Sequence, residues 1–141
     1  CGRWFGVVDM FSVLVADDDQ GHRESLVDAL TERGLVAHAA ESGDRAIAIA
    51  RRTVLHVGIL DVHMPGLTGI ETCRRLREIV ATLPLILMSA EADEEMKHDA
   101  LHAGAASFLA KPLDVGRLLR TVEDLLRSHH DFRGPTRRHR F

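Results

Sequence analysis

Short apolar runs alternate along the chain with segments whose apolar residues recur every three or four positions. The runs have the length of buried strands, whereas the spacing of three and four indicates helices with one buried face. The runs lie at 11–16, 35–40, 57–60, 85–88 and 108–110. Five strand–helix units in succession predict an α/β fold with a five-stranded parallel sheet and helices on both of its faces, because right-handed crossovers connect parallel neighbours.

Each helix-like segment carries signals of its buried face and of its ends. The expected buried positions are Leu26, Ala29 and Leu30 in the first helix, Ala46, Ile47 and Ala50 in the second, Ile70, Cys73, Leu76 and Val80 in the third, and Val115, Leu118, Leu119, Val122, Leu125 and Leu126 in the fifth. Gly34 is expected to end the first helix, and Ser42 and Asp114 are expected to cap the second and fifth. The fourth helix is predicted to begin near Glu91, with the acids of 93–95 in its first turn, and to end at Gly104.

The length and composition fit one folded domain. The chain has 141 residues, 45% hydrophobic and 28% charged, which suffices for one core. The pattern predicts a domain at 11–128, an N-terminal extension at 1–10 and a disordered tail at 129–141. No apolar stretch approaches the roughly 18 residues of a membrane helix, there is no signal-peptide pattern, and the two cysteines form no disulfide framework. A cytoplasmic location is expected.

The charge is unevenly distributed along the chain. The net charge is −3, but the tail 129–141 holds four arginines and one aspartate, so residues 1–128 carry −6. An acidic globular part argues against a nucleic-acid-binding surface on it. The arginine-rich tail leaves open the alternative that the tail itself binds nucleic acid or an acidic partner.

Polar side chains follow four of the five apolar runs: Asp17 with Asp18, Asp61, Ser89 and Lys111. The carboxyl ends of parallel strands meet at one edge of a sheet, where open α/β folds bind their ligands. Three carboxylates at one place suit Mg²⁺, which a phosphate then typically completes. One aspartate is free to accept a phosphoryl group as an acyl phosphate, while the lysine and the serine hydroxyl stabilise its charge. Each motif alone is also typical of a solvated loop or turn, but their joint occurrence predicts a phosphoryl-transfer pocket.

Over roughly 11–128 the chain resembles the receiver domain of two-component response regulators, in its stand-alone, chemotaxis-regulator-like form. The matching motifs are VLVADDD at 13–19, LDVHMPG at 60–66, MSA at 88–90 and AKP at 110–112. The resemblance implies a flavodoxin-like (βα)5 fold with strand order 2-1-3-4-5. It also implies these roles: Asp61 as phosphoacceptor, Asp17, Asp18, Asp61 and the backbone carbonyl of His63 as Mg²⁺ ligands, Ser89 as switch hydroxyl, Phe108 as switch aromatic and Lys111 as the phosphate-contacting lysine, with a cis Lys111–Pro112 bond.

The same resemblance implies a regulatory phosphoacceptor that is not an enzyme beyond Mg²⁺-dependent self-phosphorylation and slow autodephosphorylation. Its phosphate would come from a histidine kinase or a histidine phosphotransfer protein. The output is expected to be contact with a downstream protein through the fourth helix, fifth strand and fifth helix. Homodimerisation is left open, and neither a membrane nor a nucleic acid is an expected partner.

Two positions depart from the commoner pattern of the family. His63 follows the presumed phosphoacceptor by two residues, and Glu91 follows Ser89 by two. In the family these positions flank the path of the hydrolytic water, so a His63–Glu91 pair above the site would set the lifetime of the phosphorylated form. The alternative is that both side chains point into solvent, as exposed His and Glu commonly do.

Two other functions compete with this interpretation. A hydrolase with an aspartate nucleophile, as in the dehalogenase-like phosphatases, needs a second aspartate two residues after the nucleophile, and His63 occupies that place. A metal site is the other: of the nine histidines, His98 and His102 have ligand-like spacing on one helix. No Cys or third His completes the roughly four ligands of a zinc site there.

Overall fold

The computed structural model describes residues 11–130, in which five strands alternate with five helices. In chain order the elements are β1 Ser12–Ala16, α1 Gln20–Glu32, β2 Val36–Ala40, α2 Gly43–Arg52, β3 Val57–Asp61, α3 Gly69–Ile79, β4 Leu85–Ser89, α4 Glu94–His102, β5 Ser107–Ala110 and α5 Val115–His130. All strand pairs are parallel, and the sheet order is β2-β1-β3-β4-β5. The predicted fold class and strand order are confirmed.

The core has two layers, one on each face of the sheet. Successive side chains of a strand point to opposite faces, so each central strand contributes to both layers. One layer joins α2, α3 and α4 to strand residues that include Leu14, Ala16, Leu60, Leu85 and Leu87. The other joins α1 and α5 to Val13, Val15, Val57, Ile59, Ile86 and Met88. This double burial explains why β1, β3 and β4 read as continuous apolar runs in the sequence.

Most predicted helix ends coincide with local capping contacts. The side chains of Ser42 and Asp114 accept hydrogen bonds from the amides of Arg45 and Arg117, at 3.1 Å in each case. Gly34 lies just beyond α1 with a φ of +82°, a left-handed conformation that glycine adopts without steric cost. These contacts satisfy backbone groups that would otherwise lack partners at the helix ends.

The start of α4 corrects one prediction. The helix begins at Glu94, three residues later than expected, because Asp93 is its N-cap and accepts a hydrogen bond from the Met96 amide at 2.8 Å. Asp93 therefore stands in extended conformation before the first turn, while Glu94 and Glu95 lie within it. Glu94 and Glu95 therefore stand where the helix dipole stabilises negative charge, as predicted.

Other differences lie at element ends. β2 begins one residue later than predicted, because the Leu35 amide completes the end of α1 by donating to the Leu30 carbonyl at 3.2 Å. Val115 is 38% exposed, since it stands at the first position of α5, before the helix packs on the sheet. α5 continues to His130, two residues beyond the predicted domain end. The His130 ring donates a hydrogen bond to the His56 carbonyl at 2.8 Å, which holds the last turn of the helix in place. The predicted extension at 1–10 and the tail from 131 onward lie outside the described residues.

Across the described part of the chain, the helices are too short or too polar to cross a membrane.

Candidate functional site

Four strands deliver their polar end residues to one edge of the sheet. Asp61 and Ser89 end the neighbouring strands β3 and β4, and β4 pairs with β5, where Ala110 lies opposite Ser89. Asp17 and Lys111 directly follow β1 and β5. The Lys111 amide also donates to the Ser89 carbonyl at 2.8 Å, so the lysine starts beside the serine. The structure therefore brings these sequence-predicted residues together at the carboxyl edge, as in other open α/β folds.

Three aspartates form the acidic part of this edge. Asp17, Asp18 and Asp61 each contribute a carboxylate oxygen, and these oxygens lie within 4.8 Å of one another. They are the only such group of three or more metal-binding side chains among residues 11–130. Asp17 and Asp61 are buried whereas Asp18 is exposed, so one side of the group faces water. An all-oxygen donor set with an open, hydrated side fits Mg²⁺. The His63 carbonyl stays a predicted further ligand.

Lys111 joins the two buried carboxylates. Its Nζ lies 2.9 Å from Asp61 Oδ2 and 3.5 Å from Asp17 Oδ2. Burial alone would lower the pKa of Lys111, but its hydrogen bond to Asp61 and the charges of both aspartates outweigh burial and raise it. The lysine therefore carries its positive charge at the centre of the site. The Lys111–Pro112 peptide bond that follows it is cis, as the family resemblance implied.

The two buried aspartates have pKa values shifted in opposite directions. Burial raises the pKa of Asp61; Lys111 counteracts this shift and the charge of Asp17 adds to it, leaving the pKa above its ordinary value. Burial acts in the same sense on Asp17, but hydrogen bonds from His22 and the Asp19 amide, with the charge of Lys111, outweigh it and lower the pKa. Asp17 is therefore the more acidic carboxylate of the pair, and Asp61 is the more basic one.

Two residues of α1 that the sequence did not single out hold Asp17 in place. The His22 ring donates from Nδ1 to Asp17 Oδ2, and Arg23 donates from Nη1 to the Asp17 backbone carbonyl at 2.7 Å. Asp17 also accepts a hydrogen bond from the Asp19 amide at 2.9 Å. The signal in the sequence was their spacing: α1 starts three residues after Asp17, so side chains of its first turn point back toward the strand end.

Ser89 and Phe108, the residues predicted to act as the switch, lie on the neighbouring strands β4 and β5. Ser89 is fully buried, and its Oγ accepts a hydrogen bond from the Glu91 amide at 2.9 Å, which leaves the hydroxyl proton free to donate. Phe108, in β5, is half-buried and packs against the core layer beneath α2, α3 and α4. The switch roles themselves stay predictions.

His63 and Glu91 pair directly across the mouth of the site. His63 Nε2 lies 2.8 Å from Glu91 Oε1, although the two side chains are 54% and 66% exposed. The predicted contact is therefore confirmed, and it connects the loop after β3 to the loop after β4. His63 is also tied to the phosphoacceptor candidate, since its amide donates to Asp61 Oδ1 at 3.2 Å. The effect of this pair on phosphate lifetime stays a prediction.

The family model for the response regulator receiver domain matches residues 13–123. This chain belongs to that family. Receiver domains are regulatory phosphoacceptors of two-component signal transduction. The predicted membership is confirmed.

Curated relatives and solved structures agree with this membership. The receiver domain is 35% identical to the response regulator MprA of Mycobacterium sp. (strain KMS) over 123 residues, 87% of this chain and 54% of that protein. It is 36% identical to MprA of Mycobacterium leprae (strain TN) over 115 residues, 82% of this chain and 50% of that protein. The chain thus spans about half the length of these relatives, and the stand-alone form stays a prediction.

Among solved structures, the receiver domain of the Francisella response regulator 1452 is 30% identical, with a TM-score of 0.79 over 83% of this chain and 97% of that chain. Chemotaxis protein CheY4 of Vibrio cholerae is also 30% identical, with a TM-score of 0.79 over 83% and 99%. A CheY-like receiver domain from Methanospirillum hungatei JF-1, 20% identical, has a TM-score of 0.83 over 86% and 98%, which supports the fold.

The histidine pair considered as a metal site lies on α4. The rings of His98 and His102 have centroids 4.3 Å apart, so the spacing does bring them together. No third potential ligand joins them within the described range 11–130. Two imidazoles fall short of the roughly four ligands of a zinc site.

Proposed function

We propose that this receiver domain accepts a phosphoryl group on Asp61 from the phosphohistidine of a histidine kinase or a histidine phosphotransfer protein. One observation carries the proposal: the Asp61 carboxylate lies at the carboxyl edge of the sheet, 2.9 Å from the Lys111 ammonium and within an acidic group suited to Mg²⁺. A nucleophilic carboxylate with a fixed cation on one side is what acyl-phosphate formation requires.

The transfer uses the chain's own residues for orientation and charge. One Asp61 oxygen attacks the phosphorus as its bond to the donor nitrogen breaks, and the imidazole leaves with the bonding electrons. His63 holds the other Asp61 oxygen through its amide, at 3.2 Å, and so orients the carboxylate. When bound, Mg²⁺ supplies positive charge that lets an anionic phosphoryl group approach the carboxylates. Lys111 contacts a phosphoryl oxygen, and Ser89 donates to another.

We extend the proposal to the consequences of phosphorylation. The hydrogen bond from Ser89 to the phosphoryl group draws the loop after β4 inward, Phe108 follows by packing, and the face of α4, β5 and α5 changes. This is a shift between two populations, driven by contacts that the phosphate makes in one of them. The changed face binds a downstream protein, and the acyl phosphate is lost slowly to water. The location is cytoplasmic, which the free thiol of the buried Cys73 supports.

The test is incubation with acetyl phosphate and Mg²⁺, followed by intact mass. We expect one added phosphoryl group on the parent, no addition after chelation of Mg²⁺, and none on Asp61→Asn. Asp28→Asn is the matched control, since Asp28 is exposed on α1, away from the site, and should be phosphorylated as the parent is. An adduct that persists in Asp61→Asn, or a parent that takes phosphate from no donor, would contradict the proposal. Sustained turnover of phosphate esters would favour the hydrolase alternative.

A further inference from the structure

A groove between α2 and α3 carries arginines that the phosphoacceptor site does not use. It encloses about 470 Å³ and is lined by Arg51, Glu71, Arg74, Arg75, Glu78 and Ile79. Arg51 comes from the end of α2 and the other residues from α3. Three guanidinium groups from two helices therefore face one open depression.

The arginines of the groove have no direct ionic partner among the described residues. Within residues 11–130, the side chains of Arg51, Arg74 and Arg75 form neither an ion pair within 4 Å nor a hydrogen bond. Glu71 is occupied by the N-terminal cap of α3, where its Oε1 accepts from the Thr68 amide at 2.9 Å. The pKa of Glu71 is lowered by that capping contact first and by the charges of Arg75 and Arg74 in addition. Three arginines and two glutamates, Glu71 and Glu78, line the groove, so its lining carries a formal charge of +1 on a domain whose overall charge is negative.

An apolar depression adjoins the basic one and shares Arg51 and Ile79 with it. It encloses about 440 Å³, and its apolar lining is Ala50, Val54, Leu55, Ile79 and Val80. Val54 is 75% exposed, more than any other large hydrophobic side chain of the described part of the chain. A solvent-exposed apolar wall beside unpaired cations is a feature of interaction surfaces.

The position of this surface separates it from the rest of the receiver's functional parts. The end of α2, the segment 53–55 and the end of α3 lie toward the amino ends of the strands, whereas Asp61 lies at their carboxyl ends. The surface is also distinct from the face of α4, β5 and α5. Asp61, Ser89, Phe108 and Lys111 are not among the residues that line the two depressions.

The two halves of the surface together select one class of ligand. Arginine forks bind carboxylates in a bidentate manner, and an adjacent apolar wall excludes water from those contacts. The negative charge of the remaining domain repels a long polyanion such as a nucleic acid, whereas a short acidic segment of a protein meets only the groove. We propose that the α2–α3 groove, with Arg51, Arg74, Arg75 and Ile79, and the apolar depression beside it, with Val54, together bind an acidic segment of a partner protein that also carries apolar side chains. This goes beyond the phosphoacceptor function and does not depend on it.

The test uses fluorescein-labelled 12-residue peptides that combine glutamates with one to three leucines at varied spacings, and measures their binding by fluorescence anisotropy. We expect at least one member of the panel to bind more tightly than about 1 mM. Arg74→Glu and Arg75→Glu should each weaken binding about fivefold, since each replaces an attraction by a repulsion. Val54→Ser should weaken it about threefold. Arg45→Glu is the matched control: Arg45 is exposed on α2 but outside the groove, and binding should be unchanged.

Further measurements in the same assay show which class of ligand the surface binds. Peptides with glutamine in place of glutamate, or serine in place of leucine, should lose binding, and Asp61→Asn should bind as the parent does. Circular dichroism and thermal melts check that each variant is folded. No binding by any peptide, or equal weakening by Arg45→Glu, would overturn the proposal. Tighter binding of a single-stranded oligonucleotide or of anionic phospholipid vesicles, lost in Arg74→Glu, would overturn the choice of a protein segment.

Discussion

The side chain of Lys111 supplies the positive charge that two buried carboxylates of the site require. Its ammonium lies between Asp61 and Asp17, 2.9 Å and 3.5 Å from their nearest oxygens. Two buried carboxylates next to each other repel, and a fixed cation reduces that repulsion without occupying the exposed side at Asp18. Burial leaves Asp61 the more basic of the two, whereas hydrogen bonds from His22 and the Asp19 amide lower the pKa of Asp17. One lysine thus stabilises both buried carboxylates of the site.

The first prediction concerns the His63–Glu91 pair. We expect His63→Ala and Glu91→Ala each to speed acyl-phosphate decay by about threefold, because removing either side chain opens the mouth of the site to water. The backbone carbonyl of His63, a predicted Mg²⁺ ligand, is present in the variant too. Decay is followed by intact mass after removal of excess acetyl phosphate.

His98→Ala supplies the comparison for this experiment. His98 also lies near a carboxylate, Asp99, at 4.0 Å, but it stands within α4 and not beside Asp61. Its decay rate should equal that of the parent. If all three variants decay at the parent rate, the pair has no part in setting phosphate lifetime.

At the scale of elements, the start of α3 packs directly against the end of β3 and so holds the backbone of Asp61 in place. The Gly69 amide donates to the Val62 carbonyl at 2.8 Å, which places the start of α3 directly on the end of β3. A Cβ at Gly69 would lie 2.2 Å from the Asp61 carbonyl oxygen and 2.7 Å from Val62 Cα. These are backbone atoms, so the clash cannot be relieved by turning a side chain. Glycine is required there by contact with the backbone of Asp61 and Val62.

The second prediction follows from this contact. Gly69→Ala should lower the free energy of unfolding by about 1–3 kcal/mol, as overpacked positions do. It should also slow phosphorylation by acetyl phosphate, because the Asp61 backbone must shift. Gly21→Ala is the matched control in α1, where the added Cβ meets only an Asp19 side-chain oxygen at 3.5 Å. The free energy of unfolding of that variant should equal that of the parent or exceed it by up to about 0.5 kcal/mol, since Gly21 lies in the first turn of α1 and not in its interior. Urea unfolding gives both values, and a Gly69→Ala protein as stable as the parent would refute the argument.

At the scale of the whole domain, a histidine cluster joins the end of α5 to the start of the sheet. The Ser12 amide donates to His56 Nδ1 at 2.9 Å, and His130 Nε2 donates to the His56 carbonyl at 2.8 Å. Phe11 and His130 pack their rings on His56, with centroids 5.0 Å and 4.9 Å away. Residues more than 70 positions apart are thereby held together at the sheet edge opposite Asp61.

The third prediction is a pH dependence of stability carried by His56. Burial first, and the charge of His130 second, lower the pKa of His56. The unfolded chain therefore binds this proton more readily, so the contribution of His56 is complete above its ordinary pKa of about 6.5 and is lost as the pH falls below it. Protonation would also remove the acceptor of the Ser12 amide. The urea midpoint should fall between about pH 7 and about pH 5.

Substitution isolates the contribution of this one histidine. His56→Asn should show a smaller loss of midpoint over the same pH interval, although it is less stable than the parent at pH 7. His98→Asn, at an exposed position of α4, should keep the full pH dependence. Equal slopes for the parent and His56→Asn would show that other groups cause the loss.

The sequence by itself determined the fold and the membership of the site. Five apolar runs with helical segments between them specify a parallel sheet, and the residues after four runs specify which groups meet at its edge. This works because both signals are local: a strand's burial is written in its own residues, and parallel order brings all strand ends to one side. Local capping also placed Ser42 and Asp114 correctly.

Only the tertiary structure decided how those groups contact one another. His22 and Arg23 hold Asp17 because α1 packs back over the end of β1. The ring of His130, at the end of α5, donates a hydrogen bond to the carbonyl of His56. The α2–α3 groove likewise exists only where two helices pack side by side. The His130–His56 contact and the groove join residues whose separation along the chain carries no periodic signal, so their geometry follows from packing and not from any segment's own pattern.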